Sequence, residues 1–166
     1  MENAEVADLM ARFEPLVKHF NRYLTIGGFP ELALSDDDLY AQRMLREDVV
    51  DKVIKRDVLT LFKVRSPLLM EKLFLYLCMN STEIFSATTA AKELDNISPN
   101  TIESYVDALV KSNLIYMAYP IAVGSKSVLK GRPKIYIADA AIRNAVLMVD
   151  DVLSDERELG LLIETS

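Results

Sequence analysis

The sequence predicts a mainly α protein, with a helical segment followed by a winged helix-turn-helix that carries a small β-hairpin. Three observations predict it. Apolar residues recur at steps of three and four along several stretches, the mark of one-faced helices. Helix-start signals precede these stretches: Ser35-Asp36-Asp37-Asp38, Ser66-Pro67 and Ser98-Pro99. Ile115 to Val123 and Pro133 to Ala138 read as strands on either side of a basic loop. The 166 residues, 51% of them hydrophobic and 27% charged, allow one or two domains with a sizeable core.

Val6, Leu9, Met10, Phe13, Leu16, Val17, Phe20 and Tyr23 describe one face of a first helix, which Pro15 is expected to restart or kink. Gly27-Gly28 with Pro30 then ends it in a rigid turn. The Ser35 hydroxyl is expected to cap a long helix running to about Phe62. Leu39, Leu45, Val49, Val53, Ile54, Val58, Leu61 and Phe62 would form its inner face, with acids in its first turn set against the helix dipole. Leu68 to Met79 reads as a buried helix, Ser81 to Phe85 as a connector or short strand, and Thr88 to Leu94 as a short helix. Asp95-Asn96-Ile97 is a tight turn. A helix from Ser98 to Asn113 follows, with Ile102, Tyr105, Val106, Leu109 and Val110 on one face. After the hairpin, Asp139 caps a helix to about Met148, and the acidic tail from Val149 is only weakly periodic.

Composition narrows the functional classes. A single cysteine excludes an internal disulfide framework, and a single histidine excludes a metal site needing two imidazoles. No apolar run approaches the ~20 residues of a membrane span. The N-terminus is acidic, unlike a signal peptide, so a reduced, cytoplasmic setting is expected. The net charge of −6 is not that of a general nucleic-acid binder. Yet Val110 to Ala138 contains no acid and five cations: Lys111, Lys126, Lys130, Arg132 and Lys134. Recognition helices offer their N-terminal residues to base edges while a hairpin reaches the backbone. The DNA-contact candidates are therefore Ser98, Asn100, Thr101 and Ser104 on the helix, and Lys126, Lys130 and Arg132 on the wing. Glu103 and Asp107 on the same helix, and the acidic tail, point instead to a protein partner.

Catalytic constellations are sparse. His19 beside Lys18 reads as a solvated or half-buried residue, and Cys78 in an apolar helix as a small hydrophobe. Asp36-Asp37-Asp38 is better explained as a helix start than as a metal site, and Asp139 as a cap than as a catalytic acid.

Together these segments carry a resemblance. Tyr23-Leu24-x-x-Gly27-Gly28-Phe29-Pro30-Glu31 is followed by a long helix with Lys55-Arg56-Asp57-Val58 near its end. The winged helix comes next, with Ser98-Pro99-Asn100-Thr101 opening its second helix, and then Lys134-Ile135-Tyr136-Ile137-Ala138-Asp139. This order, continued by Leu159-Gly160-Leu161-Leu162-Ile163-Glu164, resembles the region after the nucleotide-binding core in prokaryotic AAA+ superfamily ATPases that carry a C-terminal nuclease-like domain. It covers about residues 20–164.

The resemblance implies a helical lid-like segment at 1–65, a winged helix-turn-helix at 66–148 and, at 149–166, an acidic linker toward a further domain. Gly27, Gly28, Phe29 and Pro30 would lie beside the adenine of a bound nucleotide, and Arg56 and Asp57 at a domain or subunit contact. The chain has no Gly-x-x-x-x-Gly-Lys-Ser/Thr phosphate loop. It is therefore expected to be a non-catalytic piece of a longer ATPase, with ATP and magnesium belonging to the resembled full-length proteins and none held by this chain. Its expected partners are the nucleotide-binding and nuclease-like domains of such a protein, with DNA and a second copy as further candidates and no membrane. Two alternatives are a stand-alone winged-helix transcription regulator and a pure protein-interaction or oligomerisation module; the acidic pI of about 4.9 argues against the regulator.

Overall fold

The computed structural model describes residues 2–62, 64–121, 131–149 and 153–165, with side chains from residue 11 onward, Val49 excepted. The described residues form a mainly α structure with one two-stranded antiparallel hairpin.

Helix α1 spans Glu2–Ile26 and runs through Pro15 as one element. Among its described side chains, those at the C-terminal end enter the core: Leu24 and Ile26 are buried, while every residue from 11 to 20 is exposed. The apolar face read from the sequence is therefore on the surface over that stretch. After the glycine turn, α2 (Pro30–Ala33) is a single turn begun by its proline. Helix α3 (Asp38–Met44) is capped by Asp37, whose Oδ1 accepts from the Tyr40 amide at 2.9 Å. The Ser35 hydroxyl, expected as the cap, instead accepts from the Asp37 amide at 3.2 Å and stabilises the turn before the helix.

The long helix continues in π geometry over Leu45–Asp51 and Val53–Val58 and closes as α4 (Leu59–Leu61). Hydrogen bonds from i to i+5 widen each turn. The buried residues are accordingly Ala41, Leu45, Val50, Ile54 and Val58, spaced by four and five positions. The ends of the expected face point outward: Leu61, just after the π-helical stretch, is 72% exposed, and Leu39, two positions before buried Ala41 in the α-helical start, is 66% exposed.

Helix α5 (Pro67–Met79) starts at Ser66, whose Oγ accepts from the Leu69 amide at 3.3 Å. It buries Leu69, Met70, Leu73, Phe74, Leu77 and Cys78, leaving Leu68, Leu75 and Met79 exposed. Helix α6 (Ala87–Glu93) is capped by Ser86. A corner follows in which Asp95 and Asn96 adopt left-handed backbone, which these residue types tolerate. Helix α7 (Pro99–Lys111) buries Ile102, Tyr105, Val106 and Leu109 against α5 and α6, and the Tyr105 hydroxyl accepts from the Ser66 amide at 3.0 Å.

Strand β1 (Ile115–Ala118) pairs antiparallel with β2 (Lys134–Ile137) in the register Ile115–Ile137, Tyr116–Tyr136, Met117–Ile135. Tyr119 and Pro120 lie beyond β1 in irregular backbone, so the strand is shorter than expected. Proline cannot donate to a ladder. The connector after α5 lies along the other edge of β2: Thr82 donates to Ile135 at 2.7 Å, and Phe85 to Pro133 at 2.8 Å. Helix α8 (Ala140–Leu147) follows β2 directly and ends at Met148 in left-handed backbone. The tail read as a linker contains a helix, α9 (Glu156–Thr165), whose buried Leu162 clusters with Leu24 and Ala140. Buried residues of α1, the long helix, α5, α6, α7, the hairpin and α8 belong to one apolar cluster.

Candidate functional site

The glycine turn and the start of α8 form one site. Gly27 has φ +79°, a conformation that side-chain-bearing residues rarely adopt. A Cβ there would lie 2.7 Å from Asp139 Oδ1 and 3.0 Å from the Ala141 methyl. Asp139 uses both carboxylate oxygens: Oδ1 accepts from the Ala141 amide at 2.8 Å, capping α8, and Oδ2 accepts from the Gly28 amide at 3.0 Å. One carboxylate thus closes the turn against the helix that follows the hairpin. Partial burial, and then the Asp139 charge, raise the pKa of the neighbouring Tyr23 phenol. Asn144 Nδ2, on α8, donates to the Leu24 carbonyl at 3.0 Å. On the other side of the turn, Arg22 donates to the carbonyls of Ala33 and Ser35 and pairs with Asp38.

Gly27 is buried, Phe29 is half-buried, and Gly28 and Pro30 are exposed. Phe29 and Pro30 line a cavity of about 380 Å³ with Leu32, Met44 and Asp48. Its walls are mostly apolar, with two acidic residues, Glu31 and Asp48, among the lining, and it is large enough for a flat ring system.

The second group of candidates lies on α7 and the hairpin. Ser98 is the N-cap residue of α7, but its side chain makes no capping bond. Ser98, Asn100 and Ser104 are exposed and Thr101 is half-buried, so these four form one polar surface at the start of the helix. Glu103 and Asp107 are exposed further along. Arg132 is exposed before β2, while Lys126 and Lys130 lie outside the described residues. Two of the five cations expected to be available are engaged in ion pairs: Lys111 with Asp107 at 2.5 Å, and Lys134 with Glu164 of α9 at 2.7 Å. The second pair raises the pKa of Lys134 and lowers that of Glu164, chiefly through their mutual hydrogen bond.

Arg56 and Asp57 are exposed on the π-helical stretch and face each other at 3.6 Å. They are remote in sequence from both groups and, among the described residues, pair with each other. Cys78 is buried, and desolvation pushes its thiol pKa far up, opposed in part by Arg143. A neutral thiol of this kind is a poor nucleophile. His19 is exposed on α1. Asp37 and Asp38 serve as a helix cap and as the partner of Arg22. Among the described residues, no three His, Cys, Asp or Glu side chains converge as a metal site would require.

Sequence reasoning missed two buried polar residues. Arg143 is 3% exposed, donates from Nε to the Cys78 carbonyl at 3.1 Å, and pairs with Glu158 of α9 at 2.6 Å. Asn144, beside it, joins α8 to α1. The one trace in the sequence is an Arg-Asn pair inside an otherwise apolar helix of eight residues.

Comparison with known proteins adds a relative and a family. The chain is similar to an uncharacterized protein of Methanocaldococcus jannaschii, MJ1544, at 26% identity over 128 residues, which is 75% of this chain and 28% of the relative. The chain thus spans less than a third of that protein's length. No solved structure matches the chain. Residues 17–153, which contain the glycine turn, the long helix, the hairpin and α8, match a described family, and the chain belongs to it: a domain of unknown function, DUF8612.

Proposed function

We propose that this chain is the non-catalytic lid and winged-helix part of a P-loop AAA+ ATPase, and that its winged helix contacts duplex DNA. The observation that carries the proposal is the Asp139 carboxylate shared between the Gly28 amide and the first turn of α8. In a lid, Gly27, Gly28, Phe29 and Pro30 face the nucleotide. A turn tied to the helix after the hairpin would transmit its position to the module that grips DNA. The order α5, connector, α6, left-handed corner, α7, β1, β2 supports a winged helix, with the polar start of α7 as the recognition surface. The apolar cavity at Phe29 and Pro30 suits a purine face. The phosphates would be held by another domain, at a helix N-terminus with a glycine-rich loop. By itself this chain is expected to bind nucleotide weakly.

Duplex-DNA binding by the full chain, measured across a salt series, tests the proposal. A combined Lys126→Ala, Lys130→Ala and Arg132→Ala variant is measured in parallel. Each lost phosphate contact flattens the log–log salt slope by about 0.9, so the variant should lose roughly two to three units. Absence of binding at low salt overturns the DNA part.

A second reading, a protein-interaction module, is favoured by one specific feature. Lys111 and Lys134 are already paired with acids, and Glu103 shares the exposed side of α7 with Asp107. On that reading the chain binds no DNA, and its partner is the nucleotide-binding domain or another copy.

A further inference from the structure

We infer that helix α1 is a dimerisation element that pairs antiparallel with α1 of a second copy of this chain. Residues 11 to 20 are all exposed, so this part of the helix stands clear of the core. Its surface is nevertheless apolar along one stripe: Phe13 is 53% exposed, Leu16 57%, Val17 51%, Phe20 44% and Tyr23 37%. The Phe20 and Tyr23 rings stack at 6.5 Å, which makes the stripe continuous.

The period of the stripe specifies what covers it. Phe13 and Phe20 are seven residues apart, as are Leu16 and Tyr23, and Val6 and Leu9 continue both series in the sequence. Apolar residues alternating at steps of three and four over three repeats form a seam of 3.5 residues. Such a seam is matched by another helix of the same repeat. The seam of α1 is complementary to itself, as a two-fold contact requires.

Charge gives the direction. Glu2, Glu5 and Asp8 are in the first third of α1, whereas Lys18 is in the last third beside Arg22, whose guanidinium is held by Ala33, Ser35 and Asp38, and Arg12 and Glu14 lie between. Antiparallel pairing sets the acidic end of each helix beside the basic end of the other; parallel pairing sets like charges together. Antiparallel pairing also places the two globular parts at opposite ends. The mixed signs do not suit a helix lying on an anionic membrane, whose polar face is rich in lysine and arginine.

The area is sufficient. Taking ~200 Å² for a fully exposed large side chain, the five residues offer about 480 Å² per copy, or about 970 Å² in a pair. The stems of flanking residues bring this toward the ~1,200 Å² at which specific interfaces begin. A concentration-dependent dimer of modest affinity is the expected result.

Mass by light scattering or sedimentation, taken from micromolar to submillimolar chain, tests the inference. The unaltered chain should approach twice the monomer mass as concentration rises, and a Leu16→Glu, Phe20→Glu variant should remain monomeric. Both positions are exposed, so the variant should unfold at the same temperature as the unaltered chain at low concentration. Leu16→Cys, near the centre of the seam, should form an intermolecular disulfide under mild oxidation, whereas Lys18→Cys on the outer face should not; the native Cys78 is buried and silent. A monomer at every concentration overturns the inference, whether or not the helix then binds vesicles. So does a dimer that survives the double variant.

Discussion

The Asp139 carboxylate accepts the backbone amide of Gly28, 111 positions earlier, at 3.0 Å while its other oxygen caps α8. An N-cap is worth about 1 kcal/mol, and a hydrogen bond to a charged group about 1.5–3 kcal/mol. Asp139→Ala should therefore destabilise the chain by roughly 2.5–4 kcal/mol, and Asp139→Asn by less, since its amide oxygen still accepts one bond. Urea unfolding gives the totals. Hydrogen exchange at the Gly28 amide separates the two roles: it should accelerate in the alanine variant even under conditions where α8 stays protected.

Gly27 and Gly160 should respond in opposite directions to the same substitution. At Gly27, alanine meets a positive φ and a carboxylate oxygen at 2.7 Å, and a loss of about 1–3 kcal/mol is expected. Gly160 lies within α9 with nothing inside 4 Å of an added Cβ. Alanine there should stabilise by about 0.5–1 kcal/mol. Thermal melting of the two single variants is enough; a stabilised Gly27→Ala would mean that the turn relaxes freely from Asp139.

Removing the partner of Arg143 should cost more than removing a surface charge. The guanidinium is buried, and Glu158 is partly exposed, so Glu158→Ala leaves an uncompensated charge that water reaches only in part. A loss of about 2–4 kcal/mol is expected, at the lower side of values for fully buried pairs. Arg143→Lys should not rescue function or stability, because one ammonium cannot reproduce the fork that holds both the Cys78 carbonyl and Glu158. Chemical denaturation of the two variants checks both statements.

The pair between Lys134 and Glu164 gives the docking of α9 a pH window. The Glu164 pKa is lowered, so its contribution is complete above the ordinary glutamate value of 4.5 and is lost as pH falls through the depressed value. The Lys134 pKa is raised, so its contribution is complete below 10.5 and is lost as pH rises through the elevated value. Both side chains are exposed to solvent, so the effect is small and sensitive to salt. The protection of α9 amides relative to their intrinsic exchange rates should be flat between those limits and fall below about pH 4. Glu164→Gln should abolish the acidic limb.

Much of the architecture was legible because it is written locally. Ser66-Pro67 and Ser98-Pro99 announce helices, since proline is pre-set for the first helical position. Asp95-Asn96 marks the corner, because short polar side chains tolerate left-handed backbone. Asp139 caps α8 as its place after a strand suggests. Errors arose where the backbone departed from the assumed period. Leu61 faces outward because the π-helical turns before it rotate the buried face, and Leu39 because, in the α-helical start, it lies on the side opposite buried Ala41. The tail seemed unpatterned because Leu162 is the one fully buried side chain described in α9; its other anchors, Leu159, Glu158 and Glu164, are partly buried or exposed.

By itself, the sequence determined most of the element order, the caps at Ser66 and Asp139, the hairpin and the lack of a phosphate loop. These depend on neighbours within a few residues, where propensity and hydrogen bonding act directly. Only the tertiary structure decided that Asp139 holds Gly28, that Lys134 is taken up by Glu164, that Arg143 is buried with Glu158, and that the apolar stripe of α1 is left outside. Each of these depends on which surfaces meet across many tens of residues or on which are left unmet. A one-dimensional pattern shows that a face is apolar or a residue charged, but the partner is chosen by the packing of the whole chain.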